Sequence, residues 1–223
     1  MKQLFTIGHS IYPEKHFIEL LKAFDIDWVL DVRSSPYSQY ASQYNREVLN
    51  KLLEGNGIKY RHMGKWFGAR QTDRKYYNEQ GYLDFDKFRE SDLFREGLES
   101  VKRGLKEYNI ALMCTEKHPI DCHRAIMVAR GFELDGIDVK HILHDGSFIT
   151  QDDLNNQLLD RYFSFQDRHQ VTMLEEDKKD DSERLAEAYR KRNSEIGYKI
   201  KDNEERDQQD DTLYDGIHTE VSE

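Results

Sequence analysis

The chain has 223 residues, of which 37% are hydrophobic and 34% charged, against about 45–50% and about 25% in a typical globular chain. No apolar run approaches the roughly 18 residues of a membrane span, and two cysteines are too few for a disulfide framework. These features exclude an integral membrane protein and a disulfide-rich secreted domain. Because the N-terminus shows no secretory signal, we expect a cytoplasmic protein.

The negative charge is concentrated in the last third of the chain. Residues 164–223 carry 10 basic and 18 acidic side chains, which accounts for −8 of the net charge of −10. We therefore predict an α/β domain over 1–163 followed by a charged acidic tail over 164–223. Within the tail, 182–193 is predicted as a solvated helix and 201–223 as disordered. A protein partner that docks on this tail is one interpretation of its charge.

Apolar runs alternate with helical periodicities along 1–163. Strands are predicted at 4–7, 28–32, 58–60, 110–114 and 139–143. Helices are predicted from 13 to 24, at 45–54, near 91–107, from Asp121 to Gly136 and around 154–159. Residues 62–82 are predicted as a long loop. The alternation predicts a single layered α/β domain with a mainly parallel sheet flanked by helices.

Three polar segments follow predicted strands: Gly8-His9-Ser10, Asp31-Val32-Arg33, and a longer segment from Cys114-Thr115-Glu116 to Cys122-His123-Arg124. In an open parallel sheet, ligands bind outside the carboxyl ends of the strands. We therefore expect the three segments to meet at one edge of the sheet.

These segments, together with Thr6-Ile7 and Pro36, resemble the signature segments of the domain-of-unknown-function family 488, in the same order over about 3–163. The stretch from Gly64 to Arg70 resembles the glycine-arginine loop of that family. It reads Gly68-Ala69-Arg70 where two glycines usually precede the arginine. The resemblance implies the α/β fold and a ligand contact at Gly68 and Arg70, but no agreed reaction.

The third segment has two interpretations. If Asp121 caps a helix, Cys122, His123 and Arg124 lie in its first turn, where free N–H groups attract anions. Arg124 and Arg33 would then hold a phosphate group, with Cys114 beside it. Cys122, as a nucleophile, or His123 would be the reactive group. The alternative is a small buried cysteine next to a structural ion pair.

Proton transfer is assigned to Asp31 and Glu116 as a general acid/base pair and to His9, the candidate of the first segment that titrates near neutrality. Gly8 and Ser10 complete the predicted ligand contacts. The alternative for Asp31 is an ion pair with Arg33 that only shapes the site.

Cys114, Cys122 and His123 with His118 could in principle form a zinc site, but the sequence predicts no metal, because the cysteines lack the short Cys-x2–4-Cys spacing of structural zinc modules. In a phosphatase-type or rhodanese-type loop, Cys114 would need an anion-binding arginine about six positions later. Position 120 is Ile, so such a loop is disfavoured. There is no Gly-x-Gly-x-x-Gly or P-loop string, so neither a nicotinamide dehydrogenase nor a nucleoside triphosphatase is indicated. The sequence does not identify a cofactor.

The segment 59–77 combines six basic residues and one acid with interleaved aromatic side chains. This pattern is compatible with nucleic-acid contact or with a surface loop whose aromatic residues pack onto the body. The leading prediction is an enzyme-like domain that binds a phosphate-bearing ligand, such as a nucleotide or a nucleic-acid end. The alternatives are a non-catalytic module that binds nucleic acid or protein through 59–77, and a thiol- or metal-dependent enzyme.

Overall fold

The computed structural model describes residues 2–164 and 181–200. Six strands form one sheet: β1 Leu4–Gly8, β2 Trp28–Asp31, β3 Lys59–His62, β4 Ile110–Cys114, β5 Val139–Ile142 and β6 Phe148–Thr150. Their order is β3-β2-β4-β1-β5-β6, with parallel pairing except between β5 and β6. The predicted α/β class with a mainly parallel sheet is confirmed.

The helices flank this sheet. They are α1 Glu14–Ala23, α2 Arg46–Glu54, α3 Gly64–Phe67, α4 Phe85–Arg89, α5 Asp92–Gly104, α6 Arg130–Leu134, α7 Gln151–Tyr162 and α8 Asp181–Ile196. Residues 62–82 are largely irregular, as predicted, apart from α3 and a 3-10 turn at Arg74–Tyr76. In the described parts of the chain, no helix has the length and apolar character to span a membrane.

Both faces of the central strands β1, β2 and β4 are buried, and alternate residues of each strand point to opposite faces. In β4, Ala111 and Met113 pack against the core below α1 and α2. Leu112 and Cys114 pack into the larger core under α4, α5, α6, α7 and α8. The near-continuous apolar character of β4 thus reflects a strand covered by helices on both sides.

The predicted helix from Asp121 begins later than expected. Pro119–Asp121 is a 3-10 turn, and Cys122 is extended, with φ −134° and ψ 139°. The helix starts with a π-helical stretch, Arg124–Ala129, that continues into α6. The prediction that Asp121 caps this helix is wrong, because its carboxylate pairs with Arg192 of α8.

The helix predicted within the tail is present as α8, but the prediction that it is solvated is wrong. Ala188, Tyr189, Arg192 and Asn193 of α8 are buried against the domain. The Asn193 side chain accepts from the Phe85 N–H and donates to the Leu83 carbonyl, both at 2.9 Å. The rest of the predicted tail, including the segment expected to be disordered, lies outside the described residues.

A buried chain of hydrogen bonds joins α8 to the middle of the sheet. His141 lies between the Thr6 hydroxyl and the Gln151 amide, at 2.8 Å from each. The Gln151 Nε2 donates to the Tyr189 hydroxyl, which donates to Asn155 Oδ1, both at 2.6 Å. The buried polar side chains in this series of hydrogen bonds are all paired. Helix α8 is therefore fixed to the domain by specific contacts as well as by apolar packing.

Candidate functional site

The carboxyl ends of β2, β4 and β1 lie side by side, because these strands are neighbours in the sheet. Main-chain hydrogen bonds continue beyond the strands. The His9 N–H donates to the Cys114 carbonyl and the Val32 N–H to the Met113 carbonyl, each at 3.0 Å. The fold therefore brings the three predicted polar segments together at one edge.

Asp31, Arg33, Tyr60, His9 and Tyr44 form one group at this edge, here called the Asp31 network. Arg33 donates to both carboxylate oxygens of Asp31, at 2.9 and 2.6 Å, and Tyr60 donates to Asp31 Oδ2 at 2.9 Å. A further Arg33 N–H reaches the Tyr44 carbonyl at 2.8 Å. Asp31 and Arg33 are both buried, so they form an ion pair shielded from solvent.

His9 is buried and stacks on the Tyr44 ring, with 4.2 Å between ring centroids. Its Nε2 accepts from Arg33 at 3.2 Å, and its Nδ1–H donates to the Ser10 carbonyl at 2.7 Å. Burial and the charge of Arg33 lower the pKa of His9 to about 4. The prediction that His9 titrates near neutrality is therefore wrong, and the ring is neutral under physiological conditions. Ser10 has a positive φ of 49°, a strained conformation for a residue with a side chain.

Cys114, Glu116, Cys122 and His123 form a second group, here called the Cys122 cluster. One side-chain donor atom from each lies within 4.8 Å of the others. His123 Nδ1 is 3.7 Å from the Cys114 sulfur and 4.0 Å from the Cys122 sulfur, and Cys122 is 2.8 Å from Glu116 Oε2. Both cysteines are buried and reduced, whereas Glu116 is exposed.

The members of this cluster perturb one another. Burial raises the pKa of Cys114 well above its usual value. Burial also opposes ionisation of Cys122, but hydrogen bonding to Cys114 and the charges of Arg124 and His123 outweigh it, so the pKa of Cys122 is held well below normal. Desolvation of the carboxyl group and the neighbouring Cys122 sulfur raise the pKa of Glu116. Perturbed groups of this kind are common at functional sites.

Arg124 and Gly8 hold the loop that carries Glu116. The buried Arg124 guanidinium donates to the main-chain carbonyls of Glu116 and Lys117, at 2.6 and 3.2 Å. A Cβ on Gly8 would lie 1.9 Å from the Glu116 carbonyl oxygen, so only glycine permits this close approach. The close approach at Gly8 is therefore to the protein itself.

The predicted anion cradle at the start of the helix is not formed. The Arg124 N–H points to the Cys122 sulfur at 3.4 Å, and the N–H groups of Ala125 and Ile126 both reach the Cys122 carbonyl at 3.1 Å. Cys122 thus occupies the donors that a phosphate group would need. Arg33 and Arg124 likewise direct their guanidinium groups to protein acceptors, so the prediction that they clamp an anion gains no support.

The two groups lie on opposite faces of the sheet edge. Asp31 bonds to Tyr60, which packs against the core below α1 and α2, whereas Cys114 belongs to the core on the other face. Asp31 and Glu116, predicted as an acid/base pair, therefore belong to different groups with different partners.

Gly68 and Arg70 lie next to Ser34, just after β2. The Arg70 N–H donates to Ser34 Oγ at 2.8 Å, and a Cβ on Gly68 would lie 2.8 Å from the same oxygen. The close approach at Gly68 is therefore to the protein. The exposed guanidinium of Arg70 lies over the Tyr198 ring, 4.1 Å from its centroid.

The aromatic residues of 59–77 serve mainly the core. Phe67 is fully buried, and Trp66 and Tyr76 pack against the same core. Arg61 and Lys65 lie over the Trp66 ring, at 5.4 and 5.3 Å from its centroid. These contacts favour the interpretation of a surface loop packed onto the body over that of a base-stacking surface.

Sequence reasoning missed Tyr44, Tyr60 and Arg192. The tyrosines contact the Asp31 network from the 3-10 turn at Ser42–Tyr44 and from β3, and Arg192 donates to the Ile120 carbonyl at 2.8 Å, next to the loop of the cluster. These contacts join residues far apart in the chain, so no local pattern indicates them.

The fold and this edge define an α/β protein with a composite polar centre at the carboxyl ends of parallel strands. The family model described as Domain of unknown function DUF488 matches residues 14–130, which is more than half of the chain, and the protein belongs to that family. The match includes the segments at Asp31 and at Cys114–Arg124, whereas Gly8, His9 and Ser10 lie before it. No curated protein and no solved structure matches the chain.

Proposed function

We propose that this protein is an enzyme that acts on a phosphate-bearing ligand at the carboxyl edge of its sheet, with the Cys122 cluster as the reactive centre. The observation that carries this proposal is the cluster itself, in which two thiols, an imidazole and a carboxylate lie within 4.8 Å of one another. Burying polar and ionisable groups together costs desolvation free energy, whereas apolar side chains at the same positions would not incur this cost. Their convergence therefore supports a catalytic role for the cluster.

The exposure of each side chain suggests its role. Glu116 is the exposed member of the cluster and bonds to Cys122, so it transfers protons between the cluster and a bound ligand. Cys122 and His123 form the reactive side behind it. Asp31 and His9 are positioning residues, because their polar atoms are engaged within the Asp31 network.

Because Arg33 and Arg124 are hydrogen-bonded to protein groups, other cationic side chains have to bind the phosphate group of the ligand. Lys117, the exposed residue after Glu116, lies with its Nζ 5.9 Å from the Tyr12 ring centroid. Arg70 lies across Ser34 at the same edge and is also exposed. Lys117, next to Glu116 in the chain, is exposed beside the cluster, and Arg70 offers a second exposed cation at the sheet edge to a charged ligand.

Titration calorimetry of the full chain with inorganic phosphate and with adenosine monophosphate tests the proposal. We expect saturable binding of the nucleotide and a loss of about tenfold or more in Lys117→Ala, because a charge-assisted hydrogen bond contributes about 1.5–3 kcal/mol and about 1.4 kcal/mol is tenfold. Lys106→Ala is the matched control, since this exposed lysine lies between α5 and β4 at the opposite edge. Absence of binding by both probes, or equal losses in both variants, would contradict the proposal.

A further inference from the structure

We infer that Cys114, Glu116, Cys122 and His123 together bind one divalent zinc-class ion. Zinc lies about 2.3 Å from thiolate sulfur and about 2.0–2.1 Å from imidazole nitrogen, so tetrahedral ligands are separated by about 3.5–3.8 Å. The distances from His123 Nδ1 to the two sulfurs, 3.7 and 4.0 Å, are close to that range. Glu116, at 2.8 Å from Cys122, has to withdraw slightly, and donors separated by up to 4.8 Å have to approach by about 1 Å to reach the tetrahedral spacing.

The orientation of His123 provides independent support. Its Nε2 lies 3.0 Å from the main-chain carbonyl of Val32, outside the cluster. A carbonyl only accepts, so Nε2 carries a proton, and Nδ1 is the ring nitrogen directed towards Cys114 and Cys122, where a bound ion would take the place of any proton. Metal-binding histidines typically donate their other N–H to a carbonyl or carboxylate in this way.

The backbone around the donors is already fixed. Arg124 donates to the carbonyls of Glu116 and Lys117, and its N–H points to the Cys122 sulfur. Arg192 from α8 holds the intervening turn at Ile120. A site held in this way needs little rearrangement when it binds an ion, which favours affinity.

The donor types select the ion. Two sulfur donors and an imidazole suit zinc and disfavour magnesium and calcium, which prefer oxygen ligands. Two thiolates and a carboxylate would leave one excess negative charge on a bound divalent ion, which the buried guanidinium of Arg124 offsets.

The fold explains why the cysteine spacing wrongly argued against a site here, and it places Glu116 rather than His118 with the other three donors. Cys114 ends β4, while Cys122 and His123 come directly before the π-helical stretch. The loop between them folds back through the 3-10 turn at Pro119–Asp121, so donors eight and nine positions apart meet. The short spacing of zinc modules applies to a different local geometry.

The exposure of the four donors indicates a reactive site. Cys114 and Cys122 are buried and His123 is half-buried, whereas Glu116 is an exposed residue whose carboxylate turns inwards to Cys122. An ion held by the three inner donors would exchange Glu116 for water or a ligand. Catalytic zinc sites keep an open position of this kind, in which bound water ionises near neutral pH.

Zinc titration of the reduced full-length protein, after treatment with a chelator, tests this inference. A chromophoric competitor reports the affinity, and Co²⁺ reports tetrahedral thiolate coordination by its visible spectrum. We expect one ion per chain. His123→Gln and Cys122→Ser should weaken binding by more than the roughly 10–100-fold that loss of a supporting partner costs.

His118→Gln is the matched control, because it removes an exposed histidine of the same loop that is not in the cluster. It should change the zinc affinity less than about twofold, well within the scatter of a surface substitution. If Cys122→Ser does not fold, Glu116→Gln at the exposed position still tests the site and should weaken binding about tenfold, equal to about 1.4 kcal/mol.

No stoichiometric uptake by the reduced wild-type protein would overturn the inference, as would equal losses in His118→Gln and His123→Gln. The inference does not require the phosphate-bearing ligand. Zinc binding without nucleotide binding would support the metal site and contradict the proposed ligand. Nucleotide binding without zinc binding would support the ligand and overturn the metal site.

Discussion

The imidazole of His123 donates to the main-chain carbonyl of Val32 across 3.0 Å. Val32 lies between Asp31 and Arg33, so this bond connects the Cys122 cluster on one face of the sheet to the Asp31 network on the other. The position of His123 therefore depends on the path of the chain after β2, which the buried Asp31–Arg33 pair stabilises. This connection gives the Asp31 network a positioning role.

Arg33→Ala should destabilise the protein strongly, because it leaves the Asp31 carboxylate buried without its cation. Removal of one partner of a buried ion pair costs about 3–5 kcal/mol. Thermal unfolding should therefore show a fall of about 10 °C in Tm, since about 1 kcal/mol corresponds to about 2–4 °C in a chain of this size. In the double variant Asp31→Asn/Arg33→Ala, part of the lost Tm should be recovered, because the buried carboxylate is also removed. An unchanged Tm in Arg33→Ala would show that the pair is not buried as described.

Tyr189→Phe should loosen α8 without removing apolar surface. The variant removes the hydroxyl that accepts from Gln151 and donates to Asn155, and each buried group left unpaired costs about 1–3 kcal/mol. Amide hydrogen exchange in 181–196 should accelerate, and urea unfolding should show reduced stability. Arg190→Ala, on the exposed side of the same helix, is the control, because its ion pair with Asp86 is a 3.9 Å surface contact of little energetic value. Equal effects of the two substitutions would contradict specific docking of α8.

The sequence predicted the fold better than the site because the two depend on different ranges of contact. Apolar runs locate β1, β2 and β4, and parallel pairing then places the residues after them at one edge. The charged composition of 182–193 suggested a solvated helix, yet the buried face of α8 depends on partners as distant as Asn155 and Asp121. Local composition contains no information on these pairings.

The chemistry of the edge was predicted less well for the same reason. Arg33 was expected to bind an anion after a strand end and Arg124 in the first turn of a helix, but in the fold both find protein acceptors. The segment with Cys122 was expected to be a helical turn, but that residue is extended and occupies the helix N–H groups itself. Residue identity located the site, whereas the roles depended on the tertiary partners.

Acid should destabilise the protein through its buried neutral histidines. Burial and the charge of Arg124 lower the pKa of His141 from 6.5 to about 3, and burial lowers that of His9 to about 4. Below pH 6.5 the unfolded chain binds protons at these rings that the folded chain does not. Each histidine therefore reduces the free energy of unfolding by up to about 1.4 kcal/mol per pH unit as pH falls, until its folded-state pKa is reached.

The variant His141→Gln tests this effect through the slope of stability against pH, whatever its stability at neutral pH. Between pH 6.5 and 5, urea unfolding should lose stability less steeply than in the wild type, by up to about 1.4 kcal/mol per pH unit. His144→Gln, which removes an exposed histidine nearby, should keep the wild-type slope. A wild-type slope in His141→Gln would show that this ring is protonated in the folded state.

Gly8→Ala should damage both the loop of the cluster and the stability of the domain. The added methyl would lie 1.9 Å from the Glu116 carbonyl oxygen and 3.1 Å from the Arg124 guanidinium, so the loop has to move. We expect a loss of about 3 kcal/mol or more in urea unfolding, at the upper end of overpacking effects. Gly55→Ala is the control, since its methyl would meet carbonyl oxygens of α2 no closer than 3.3 Å and φ is −61°. A stable Gly8→Ala protein with unchanged alkylation rates at Cys122 would show that the loop does not rest on Gly8.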